Sequence, residues 1–124
     1  MKLPLQTTFF KVLFFTALTA ISILAFLPDY DALPPIVSFS DLLNHTIAFV
    51  VLFILATLGH PSLLVKQIVY ALVIYAFFIE AVQYFLPTRF ASWSDIGADV
   101  AGLIIGYGVM IFLRRLPYTK NLFS

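Results

Sequence analysis

The chain has 124 residues, 62% of them hydrophobic and only 10% charged, with a net charge of +1 and a mean hydropathy of +1.04. A soluble domain is about 25% charged, so there is too little polar surface here to cover a globule, and a disordered or nucleic-acid-binding chain is excluded on the same ground. No cysteine is present, which removes a disulfide framework and any cysteine-based zinc site.

Four continuous apolar segments follow in chain order. The first covers residues 7–27, with Lys11 snorkelling, and stops at Pro28. A polar connection over residues 29–40 contains Pro34-Pro35, which favours extended backbone. The second segment covers residues 42–59 and ends in the turn signal Gly59-His60-Pro61; the third covers 67–86 and ends at Pro87; the fourth covers 96–113 and ends at Arg114-Arg115. Each is long enough for a membrane span, which needs about 20 apolar residues, and the runs are continuous, which excludes a transmembrane barrel. The chain is therefore expected to be an all-α polytopic membrane protein, a single domain over residues 1–124 with four transmembrane helices. The rival reading of the first segment is a cleaved signal peptide. An h-region is usually about 7–15 residues, shorter than this run, and cleavage would leave an odd number of spans.

Charge placement sets the orientation. Lys2, Lys11, Lys66, Arg114, Arg115 and Lys120 fall on one side of the four-span arrangement, and Arg89 alone on the other. The positive-inside rule then puts both termini in the cytoplasm, with residues 29–40 and 88–94 on the outer side of the membrane.

The polar residues within the spans gather toward the outer side. Asp41 and His45 open the second segment, Glu80 and Gln83 lie late in the third, Asp95 and Asp99 open the fourth, and Arg89 sits in the connection between them. Asp41 with His45 and Asp95 with Asp99 are i,i+4 pairs, and Glu80 with Gln83 is an i,i+3 pair, so each helix shows its polar groups on one face. On the fourth helix that face continues through Gly102 and Gly106, small residues that let another helix approach, so it is expected to point into the bundle. Capping accounts for Asp41 and Asp95, each introduced by Ser-aromatic-Ser, but not for Glu80 or Asp99 beyond the first turn. An ionised carboxylate at the bilayer centre costs about 2.5–3.5 kcal/mol on insertion scales, so those two are expected to be paired, protonated or facing water. His60 reads as ordinary loop, and Tyr30, Phe39, Tyr84 and Trp93 read as an interfacial aromatic belt.

A short internal repeat overlies this pattern. Phe26-Leu27-Pro28 matches Phe85-Leu86-Pro87, and Ser38-Phe39-Ser40-Asp41 matches Ser92-Trp93-Ser94-Asp95. It equates Asp41 with Asp95 and His45 with Asp99, and would relate two hairpins by an axis along the membrane normal. Glu80 has only Ile21 as its counterpart.

Asp41-x-x-x-His45-x-x-x-Phe49, Glu80-x-x-Gln83, Pro87-x-Arg89, Asp95-x-x-x-Asp99 and Gly102 together resemble the VanZ-like family of small bacterial membrane proteins. Two positions depart from its pattern: Leu42 stands where members often carry Lys, and Asp99 where they often carry Asn. Both changes make the cluster more acidic. The founding member is associated with low-level teicoplanin resistance, so the resemblance implies a cell-envelope role without specifying an activity.

Three mechanisms fit these residues. In an enzyme acting on a lipid-linked or cell-wall substrate, Glu80, His45 and Asp99 supply acid–base catalysis, while Asp41, Gln83, Arg89 and Asp95 bind substrate, Arg89 by holding an anionic group. In a non-catalytic accessory protein, the same pocket holds a lipid or a glycopeptide antibiotic. A proton-coupled transporter is disfavoured, because the inner halves of the spans carry no ionisable relay. A metal on His45, Asp41, Glu80 and Asp99 is chemically open, but one histidine with carboxylates is nonspecific and no metal is assigned. The expected partners are the bilayer and an envelope lipid; cofactor and oligomeric state are not specified by the sequence.

Overall fold

A computed structural model of the chain describes residues 4–26, 41–86 and 93–117, and all of its regular structure within them is helical. The helices are α1 (Pro4–Ala25), α2 (Asp41–Gly59), α3 (Val65–Tyr84) and α4 (Trp93–Arg115). All four are long and apolar enough to cross a membrane. They lie close to the expected segments, with α1 beginning earlier, at Pro4, and α4 longer at both ends. Proline suits the first turn of a helix, where its missing N–H has no carbonyl to reach, and Trp93-Ser94-Asp95 is absorbed as the first turn of α4.

Helix α2 is the central element and packs against the other three, with α4 as its most extensive partner. It contributes Phe49, Leu52, Phe53 and Ala56 to the core; Ile68, Leu72, Ala76 and Ile79 of α3 and Leu103 and Met110 of α4 close around them. The α3 set recurs at i, i+4, i+8 and i+11, the stripe a helix presents to one neighbour. Large apolar side chains such as Phe9, Phe15, Ile74, Phe78, Ile104 and Phe112 are exposed instead, as expected of a protein whose solvent is lipid.

Helices α2 and α4 run parallel and touch through glycine. A Cβ on Gly102 would stand 2.4 Å from the Thr46 carbonyl oxygen and 2.9 Å from Phe49 Cβ, and one on Gly106 would stand 3.1 Å from Phe53 Cβ. The Gly102/Gly106 face does point into the bundle, and its occupant is α2. At the same crossing the Thr46 hydroxyl donates to Leu42 O at 3.0 Å within its own helix and lies 3.2 Å from Ala98 O across the interface.

Gly59 does more than end α2. A Cβ there would lie 2.8 Å from the Lys11 backbone nitrogen and 2.9 Å from Lys11 Cα, so α1 crosses the end of α2 in backbone contact. His60, expected to be plain loop, is half-buried. Its Nδ1–H and its backbone N–H both donate to Ala56 O at 3.0 Å, capping α2, and its ring stands edge-on to Phe14 at 5.7 Å. At the other end α1 is fastened to α3 by a hydrogen bond between Ser22 Oγ and Tyr75 OH, and by Gln83 Nε2 donating to Ala25 O at 2.9 Å. That second bond satisfies a carbonyl in the last turn of α1 that has no partner within its own helix.

Candidate functional site

The parallel α2/α4 pairing sets the start of both helices side by side, with the end of α3 between them. His45, one turn into α2, meets Asp95 and Asp99 from the first turns of α4 and Glu80 from the last two turns of α3. Each of the four is at least nine-tenths buried, and Asp99 is 0% exposed.

His45 Nδ1 and Asp99 Oδ1 are 2.7 Å apart, a charge-assisted hydrogen bond. With Asp99 ionised its carboxylate oxygen accepts, so Nδ1 carries the proton, and whenever the ring is neutral Nε2 presents a lone pair. Nε2 lies 3.9 Å from Asp95 Oδ2, too far for a hydrogen bond. Single ligand atoms of His45, Glu80 and Asp95 all lie within 4.8 Å of one another. The other Asp99 oxygen, Oδ2, is buried and has no hydrogen-bond partner among the described residues.

The structure thus brings together four of the seven residues singled out in the sequence. Gln83 lies on the same helix, one turn beyond Glu80, with its amide engaged by Ala25. The Asp41 side chain and Arg89 lie outside the described residues, although Asp41 begins α2 one turn before His45. The described Lys and Arg residues, Lys11, Lys66, Arg114 and Arg115, all lie toward the opposite, Gly59 end of the bundle. That end is about 20 Å from His45 along α2 at 1.5 Å per residue.

Three polar residues that support the cluster escaped the sequence analysis. Thr46 links the two helices that carry His45 and Asp99, and Ser22 and Tyr75 join α1 to α3 below Glu80. Tyr75 also leans on Phe49 with ring centroids 6.0 Å apart. Their signal was available: a hydroxyl within a lipid-embedded helix generally finds a partner across a helix interface or in its own preceding turn.

Four membrane-length helices with a buried histidine–carboxylate cluster where α2 and α4 begin define a small multi-pass membrane protein with an intramembrane ionisable site. A family model described as VanZ/LLP1 matches residues 2–114. The chain belongs to that family, as the spacing of its polar residues implied. No curated protein and no solved structure matches the chain.

Proposed function

We propose that this VanZ-like protein is an enzyme of the bacterial cytoplasmic membrane that acts on a lipid-linked or cell-wall substrate reaching its site from the outer side. The observation that carries this is the 2.7 Å bond between His45 and Asp99 within a buried cluster that also holds Glu80 and Asp95. A base needs a lone pair held in one direction, and a carboxylate on Nδ1 sets both the tautomer and the ring orientation.

In this mechanism Nε2 of His45 accepts a proton from a substrate hydroxyl or a water, and Asp99 stabilises the imidazolium that results. Glu80, protonated, returns a proton to the leaving group. Asp95 binds a substrate hydroxyl, with Asp41 and Gln83 lining the same end, and Arg89 holds an anionic group such as a lipid phosphate. The apolar outer surface suits a substrate that stays in the bilayer while its polar head enters the site. Six cations against one support an outward-opening site, through the positive-inside rule.

The test is mass spectrometry of the lipid-linked envelope intermediates in cells lacking the protein, complemented with the wild type, His45→Gln or Glu80→Gln at equal membrane abundance. A shift in an intermediate-to-product ratio that only the wild type restores is expected. Equal restoration by both variants excludes acid–base catalysis and leaves a binding role.

A further inference from the structure

We propose that His45 Nε2, Glu80 and Asp95 form a binding site for one divalent cation of the Zn²⁺ or Mn²⁺ type, with Asp99 as the positioning residue behind His45. The site rests on the reading above only in treating these side chains as one cluster. It requires no turnover.

The donor set comes first. With the Nδ1–H directed at Asp99, Nε2 of the neutral ring is an acceptor; it lies 3.9 Å from Asp95 Oδ2, and one ligand atom each of His45, Glu80 and Asp95 lie within 4.8 Å of one another. One imidazole nitrogen and two carboxylate oxygens converging in this way make a donor set for a cation. A cation bound at about 2.0–2.2 Å by imidazole nitrogen and carboxylate oxygen holds its ligand atoms roughly 3–3.5 Å apart, so contraction by about 1 Å closes this site.

The second observation lies behind the ring. A metal-bound histidine almost always donates its other N–H to a carboxylate or carbonyl, which fixes the tautomer and raises the basicity of the ligand nitrogen. His45 has that arrangement, with a fully buried partner whose second oxygen has no hydrogen bond among the described residues. The set of one imidazole and two carboxylates carries two negative charges, matching a divalent ion, and its mixed nitrogen and oxygen donors suit Zn²⁺ or Mn²⁺ better than Mg²⁺ or Ca²⁺. Three protein ligands leave a coordination position for a substrate oxygen or a water. Ser94, next to Asp95, is exposed at the helix starts. With a cation present, His45 serves as a ligand, and the ion takes over polarisation of the substrate.

The experiment uses the full chain in lipid nanodiscs, stripped with chelator and titrated with Zn²⁺, Mn²⁺ and Mg²⁺ by calorimetry, with elemental analysis of bound metal. One Zn²⁺ or Mn²⁺ per chain is expected, with Mg²⁺ at least about tenfold weaker. His45→Gln and Glu80→Gln should each weaken binding at least about 100-fold, and Asp99→Leu about 10- to 100-fold through the lost orienting bond. Thermal midpoints of each variant verify the fold, and Asp99→Ala replaces Asp99→Leu if the latter unfolds. Wild type binding no more Zn²⁺ or Mn²⁺ than the His45→Gln/Glu80→Gln double variant overturns the site. Stoichiometric binding lost in both variants, with unchanged envelope lipids, keeps the cation site and removes the catalytic role proposed above.

Discussion

His45 and Asp99 are 54 positions apart in the chain and 2.7 Å apart in the fold, and they are the two residues that the internal repeat equates with one another. Helices α2 and α4 run parallel with their starts side by side, so these two positions face one another. One hydrogen bond then sets the histidine tautomer on which every use of Nε2 depends.

That tautomer is directly measurable. In protein labelled with ¹⁵N-histidine, the Nδ1 of His45 is expected to carry the proton and, in the neutral ring, Nε2 to resonate as an unprotonated nitrogen. Asp99→Leu removes the acceptor and should shift the ring toward the Nε2–H form. A wild-type spectrum already in the Nε2–H form contradicts the bond.

The α2/α4 crossing predicts a graded glycine series. Gly102→Ala places a methyl 2.4 Å from the Thr46 carbonyl oxygen, a backbone atom, so the helices must part, at a cost of about 1–3 kcal/mol. Gly106→Ala meets Phe53 at 3.1 Å and should cost less, whereas Gly97→Ala and Gly108→Ala meet nothing within 4 Å and should change stability by under about 0.5 kcal/mol. Thermal midpoints in detergent rank the four.

Gly59→Ala tests the docking of α1. The added methyl would lie 2.8 Å from the Lys11 backbone nitrogen, and no rotamer change relieves a contact with backbone. The expected loss is again about 1–3 kcal/mol, with faster proteolysis within α1 in detergent as the local readout.

Tyr75→Phe and Gln83→Leu remove the two bonds from α3 to α1. Hydrogen bonds between membrane helices average about 0.6 kcal/mol, with a maximum near 1.7, so each substitution should lower the thermal midpoint slightly. Both variants should still insert and fold.

Much of this architecture was legible in the composition. Scarce charge and four long apolar runs lead directly to four helices, because a backbone in hydrocarbon must satisfy its hydrogen bonds internally. The convergence of His45, Glu80, Asp95 and Asp99 was legible too, since i,i+4 spacing and burial cost push such residues to one inward face. What stayed hidden depended on distances between helices. Gly59 read as a turn residue, and only the crossing of α1 shows that its missing side chain admits Lys11. His60 read as loop because its cap on α2 and its edge contact with Phe14 are tertiary. Spacing placed Asp41 with His45 and Asp95 with Asp99 along their own helices. Burial cost made His45 an available partner for both Glu80 and Asp99, and spacing did not decide which of the two would hold its ring.

Charge asymmetry predicts that both termini face the cytoplasm. A fluorescent protein fused after Ser124 should fluoresce, and alkaline phosphatase fused there should be inactive.

The most direct test of a single functional cluster is the envelope-lipid profile of cells complemented with wild type, His45→Gln or Glu80→Gln at matched membrane abundance. Substitution on either helix, α2 or α3, is expected to abolish the same change in the ratio of intermediate to product, a loss of at least about 100-fold for an acid–base group. Profiles from both variants indistinguishable from wild type would contradict it.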